Sequence, residues 1–114
     1  DGTFNSKKFN NGTKVYLVFN PLKDSEYITL ATAELSQNIV TVIGKQTVGA
    51  CDRNETSLCV DRPIIKCESE KASIFLINEP GPSIEFNGAC IKIKGQGYDI
   101  VKAVDKLLFL WYGI

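Results

Sequence analysis

Ser83-Ile84-Glu85-Phe86-Asn87-Gly88-Ala89-Cys90-Ile91-Lys92-Ile93-Lys94 is the stretch around which the chain is organised. Apolar and polar residues alternate on either side of Asn87-Gly88, the dipeptide that most favours a two-residue type I′ turn, so the stretch reads as a β-hairpin. With Asn87-Gly88 as the turn, Glu85 falls opposite Cys90, while Ile84, Phe86, Ala89, Ile91 and Ile93 share the other face. Cys90 is thereby placed on the polar side of the hairpin, where a covalent partner explains it better than simple core burial.

The hairpin feeds a helix. From Tyr98 to Tyr112 apolar residues recur at helical spacing, with Gly97 before and Gly113 after as caps. Ile100, Val101, Val104, Leu107, Leu108 and Trp111 form the inward stripe, and Asp99, Lys102 and Lys106 define the outward face. Phe109 continues that outward row and Tyr112 lies near it. Phe109, Tyr112, Lys102 and Lys106 are therefore candidates for a surface that meets a protein partner or a second copy. The competing reading has the N-terminal arm wrapping the helix end through Phe4 and Phe9.

Upstream of the hairpin the signals are also local. Residues 1–12 are polar and read as a loose arm. Val15-Tyr16-Leu17-Val18-Phe19 is an apolar run too short for a helix, the pattern of a central strand covered on both faces, and Asn20-Pro21 ends it. After the N-cap candidates Asp24 and Ser25, the apolar positions Ile28, Ala31, Leu35, Ile39 and Val42 predict a helix from about Glu26 to Ile43, stopped at Gly44. The β-branched end of that helix, Ile39 to Ile43, has strand propensity as well. The loop from Asn20 to Ser25 occupies a place where α/β proteins bind ligands, but it has no glycine-rich turn to admit a phosphate. Lys45 to Arg62 reads as a polar surface loop, stapled by its cysteines. Pro63 to Cys67 reads as a short strand and Ala72 to Asn78 as a buried one, and Glu79-Pro80-Gly81-Pro82 is a turn.

The order is β-α-loop-β-β-β-β-α. It predicts an α+β or α/β fold: one globular domain spanning residues 1–114, a sandwich in which two helices cover a mixed sheet of about four to five strands. A right-handed β-α-β crossover is expected from Val15 through the first helix to the middle strands. At 114 residues, with 44% hydrophobic and 23% charged residues, the chain suffices for one ordinary core.

Cysteine usage bears on compartment. Cys51, Cys59, Cys67 and Cys90 are even in number. Zinc ligands come in closer pairs, whereas the first three cysteines here are eight apart and no histidine is present. Four reduced core thiols are the second alternative. Two disulfides are favoured over both, and of the three pairings open to four cysteines, Cys51 with Cys59 and Cys67 with Cys90 is preferred. The first closes the local loop; the second ties two strands, provided their Cα atoms approach within about 7 Å. Asn11-Gly12-Thr13 and Asn54-Glu55-Thr56 are N-glycosylation sequons, which agree with an extracytoplasmic chain. The chain opens on Asp1 and contains no methionine, as expected of a mature fragment whose initiator has been removed.

Cys90-Ile-Lys-Ile-Lys-Gly95 together with Tyr98 to Ile114 resembles the C-terminal ends of uncharacterised archaeal cell-envelope proteins, membrane-tethered ectodomains closing on a cysteine-bearing strand and an amphipathic helix. The resemblance covers the C-terminal quarter of the chain. It implies an envelope location and no chemistry.

Composition excludes several function classes. The 13 basic and 13 acidic residues cancel and are scattered, so no footprint for nucleic acid or an anionic membrane exists. The longest apolar run, Leu107 to Tyr112, is far short of the roughly 20 residues that span a bilayer, so no membrane insertion by this fragment is expected. Without histidine there is no Ser-His-Asp triad, and no EF-hand spacing, metal site or cofactor motif stands out. Carboxylate pairs are the remaining chemistry: Glu68 with Glu70, or Glu79 with Glu85. The sequence therefore points to a non-enzymatic, disulfide-bonded extracytoplasmic domain, secreted or cell-surface, with a structural or interaction-mediating role. The alternative is a small secreted hydrolase or enzyme-associated domain using paired carboxylates.

Overall fold

The computed structural model describes residues 3–4, 9, 12–19, 26–54, 56–69 and 71–111. The described residues form six strands: β1 (Thr3–Phe4), β2 (Lys14–Val18), β3 (Gln46–Ala50), β4 (Ser73–Ile77), β5 (Ser83–Gly88) and β6 (Cys90–Lys94). Two helices accompany them, α1 (Glu26–Asn38) and α2 (Asp99–Trp111). The sheet order is β1-β5-β6-β4-β2-β3. β3, β2, β4 and β6 run parallel, β5 runs antiparallel to β6, and β1 runs parallel to β5. The expected mixed sheet with two helices is what the chain forms.

Both helices lie on one face. Ile28, Ala31, Leu35 and Ile39 of α1 and its extension pack with Ile100, Ala103, Val104, Leu107 and Leu108 of α2 over Val15, Leu17, Ile74, Leu76, Ile91 and Ile93 of the sheet. Period-2 strands and period-3.6 helices here present matching apolar faces, which is why the two patterns dock. On the opposite face Val18, Ala50, Ile65, Phe75 and Cys90 make a smaller second core. Parallel strands covered on both faces read as continuous apolar runs, and β2 and β4 do so.

The helix predicted from Glu26 to Ile43 continues as a π-helical turn over Ile39–Ile43 and stops at Gly44, in the left-handed conformation. The wider turn falls on the β-branched run, whose side chains crowd the preceding turn of a regular helix. The cap candidates Asp24, Ser25 and Gly113, and the loop from Asn20 to Ser25, lie outside the described residues.

The hairpin turn sits one position further along than expected. Asn87 pairs with Cys90, Glu85 with Lys92 and Phe86 with Ile91, so Gly88 and Ala89 make the turn. Gly88 takes φ 60°, the positive value a primed turn demands and glycine meets without steric cost. Moving both turn positions by one leaves every side chain on its predicted face. Cys90 is thus opposite Ile91 and Ile93 in facing, as read, but that side is not polar: Cys90 is fully buried in the second core.

Three further expectations are corrected. The stretch from Lys45 to Arg62 is not wholly loop, because Gln46–Ala50 forms β3 beside β2. Consequently the β-α-β crossover through α1 lands on the edge strand β3 rather than on the middle strands. Pro63 to Cys67 is not a strand: Ile64 makes a single parallel bridge to Cys51, and Cys67 begins the 3-10 turn Cys67–Ser69. Within the N-terminal arm, Thr3 and Phe4 pair with Asn87 and Gly88 of β5, and Phe9 is buried in the main core.

Candidate functional site

On the far side of the sheet, the segment between β3 and β4 crosses from the sheet edge back to the centre; its described residues make two short 3-10 turns, Ser57–Asp61 and Cys67–Ser69, and no α-helix. Two covalent links hold it. Cys51–Cys59 closes an eight-residue separation with Cα atoms 5.9 Å apart. Cys67–Cys90 spans 23 residues with Cα atoms 5.3 Å apart, inside the limit for a bridge, and fastens the 3-10 turn to β6 rather than strand to strand. The favoured pairing is the one formed, and no cysteine is free. Backbone hydrogen bonds add to it: Cys51 N–H donates to the Pro63 carbonyl at 3.1 Å and Ile65 N–H to the Cys51 carbonyl at 2.8 Å.

Arg62 acts as a latch in this segment. Its Nη1 donates to the Phe19 carbonyl at 3.3 Å, and its guanidinium carbon lies 5.0 Å from the centre of the Phe19 ring. Gly49 leaves the room it needs, for a Cβ there would stand 3.0 Å from Arg62 Cζ. A planar cation stacked on an aromatic face gains from both dispersion and the ring quadrupole. Nothing in sequence spacing singled out Arg62, because both of its contacts are long-range.

The outer surface of α2 carries three of the four residues singled out as interface candidates, Phe109, Lys102 and Lys106. Phe109 and its neighbour Leu110 are each 54% exposed, and Lys102 and Lys106 are exposed. Lys102 reaches Asp99 at 3.9 Å and lies 5.8 Å from the Tyr98 ring, so it is occupied along its own helix. Phe9 meets Trp111 with ring centroids 6.1 Å apart. The arm therefore covers the inward aromatic of the helix end and leaves Phe109 in solvent. Tyr112 lies outside the described residues.

Between α1 and α2, Glu34, Asn38, Asp105, Leu108 and Phe109 line an open pocket of about 220 Å³. Partial burial, followed by a hydrogen bond and repulsion from Asp105, pushes the Glu34 carboxyl up to about 7. The neighbouring Asp105 thus disfavours ionisation of Glu34. Neither was singled out in the sequence, since each borders an apolar stripe on a different helix and only the helix crossing brings them together. The signal available was an acidic residue beside the buried stripe of each helix.

Glu79 and Glu85 converge, but on Lys94, at 3.8 and 3.0 Å. The Lys94 ammonium holds the Glu85 carboxyl below its usual range, and Glu85 in turn raises Lys94. Glu68 is exposed on the 3-10 turn, and Glu70 lies outside the described residues. Among the described residues no group of three or more metal-ligating side chains assembles, and no helix is long and apolar enough to cross a membrane.

Asn54 is exposed at the tip of the Cys51–Cys59 loop; Asn11, the other sequon asparagine, lies outside the described residues. The chain matches no protein-family model, no curated protein and no solved structure.

Proposed function

We propose that this chain is a non-enzymatic extracytoplasmic domain of a cell-surface or envelope protein, structural or interaction-mediating, that contacts a protein partner or a second copy through the outer face of α2. The observation that carries this reading is that all four cysteines are consumed in two disulfides, which fit an oxidising environment. One of them secures an otherwise weakly packed crossover, the use to which small extracellular domains put such bonds. The exposed Phe109 beside the Lys102–Lys106 row supports the assignment of the contact surface. The resemblance of the C-terminal quarter to archaeal envelope ectodomains is consistent with the same location.

The test is a thiol count on protein taken from its own source cells. Intact mass after alkylation without reductant should show no label, and with reductant four labels. Four labels without reductant would overturn the extracytoplasmic reading.

A further inference from the structure

We infer that Asn54 is the attachment point of an N-linked glycan. The inference rests on the extracytoplasmic reading above and names a modification that this compartment would supply.

Asn54-Glu55-Thr56 has the acceptor spacing, with a residue other than proline in the middle. Spacing alone is common, and the fold adds the selection. Cys51 and Cys59 are 4% and 3% exposed, so both ends of the loop are anchored in the protein, whereas Arg53 and Asn54 between them are exposed. The backbone at Thr56 is extended, with φ −133° and ψ 167°, at the start of the 3-10 turn Ser57–Asp61, so Asn54 precedes that turn instead of lying within it. Beside Asn54 the neighbours Asp52 and Arg53 pair at 3.0 Å, a surface contact of small worth. A hydrophilic glycan at such a tip costs the core nothing and shields the loop closed by the disulfide.

The co-reactant is a lipid-linked oligosaccharide presented by a membrane transferase. Asn54 Nδ2 forms a bond to sugar C1 as the C1–oxygen bond to the lipid phosphate breaks. The leaving phosphate keeps the electron pair, and one amide proton passes to a base on the transferase. No oxidant or reductant is required.

Protein from its own source cells, first counted for free thiols as above, is reduced, alkylated and cut after lysine, which releases residues 46–66 with Asn54 as their sole sequon. The peptide should carry added glycan mass, placed on Asn54 by fragmentation. Asn54→Gln and Thr56→Ala should each return it to its unmodified mass, and Thr56→Ser should keep the addition. A wholly unmodified peptide, or mass placed on another residue, in protein whose cysteines are all oxidised would overturn the glycan and leave the compartment standing. Four reactive thiols would overturn both.

Discussion

The two faces of the sheet are covered in different ways. On one side α1 and α2 lay amphipathic stripes over the strands, and eighteen of the described residues, most of them large aliphatics, join in one buried cluster. On the other, five of the described residues form a buried cluster under a polar crossover whose described residues make no α-helix. A fully buried aliphatic side chain contributes about 1.5–3 kcal/mol, so the first face holds by burial alone, while the second has too few such groups to order more than twenty residues of irregular chain. Both disulfides tie down that crossover. Covalent closure acts by removing conformations from the unfolded chain, and so stabilises a segment whose folded contacts are sparse.

Breaking the helix face should have the largest effect. Leu107 is fully buried beneath α2, and Leu107→Ala should cost about 4 kcal/mol, within the range for emptied leucine sites. Urea unfolding reads this directly, and a loss under about 1 kcal/mol would show that the helix layer is not the principal core.

On the other face, chain-entropy arithmetic for separations of 23 and 8 residues gives about 3.4 kcal/mol for Cys67–Cys90 and about 2.5 kcal/mol for Cys51–Cys59. Cys67→Ala with Cys90→Ala should therefore lower the urea midpoint more than Cys51→Ala with Cys59→Ala. The first pair should also expose Phe75 and Ile65, since Cys90 belongs to their cluster. Equal losses would mean that the two bonds do not differ in how they hold the crossover.

The smallest effect belongs to the boundary between the helices. Glu34 has its folded value raised from 4.5 to about 7, so between those values the folded protein binds more protons than the unfolded chain. Stability should then fall as pH rises from about 4.5 to about 7 and level off above it, by on the order of 1 kcal/mol once solvent screening is allowed for. Glu34→Gln should flatten this slope and leave the variant the more stable of the two at pH 8. A slope retained in Glu34→Gln would assign the titration elsewhere.

Much of this was legible in the sequence because it is written in short-range order. β2, β4 and the hairpin follow from runs and alternation, α1 from its period and Gly44, and α2 from the strongest stripe in the chain. The two faces of the hairpin were also correct, since shifting a two-residue turn by one position preserves side-chain parity. The strand Gln46–Ala50 was not legible: it is an edge strand, polar and half-exposed, and pairs with the sheet only through β2. Pro63 to Cys67 looked more like a strand than it is, because Ile64 and Ile65 are apolar and β-branched, but only Ile65 is buried. For the candidate site, Phe109 and the cysteine pairing were in view, whereas Arg62 and the Glu34–Asp105 pair were not.

By itself the sequence determined which segments are regular and which side of each is apolar, because those properties depend on neighbours two to four residues away. Tertiary structure decided the rest: that β3 closes the sheet beside β2, that the face carrying Cys90 is a second core, and that Glu34 meets Asp105 across two helices. Each of these depends on groups far apart in the chain, whose approach is set by how the apolar faces pack and not by any pattern within one segment.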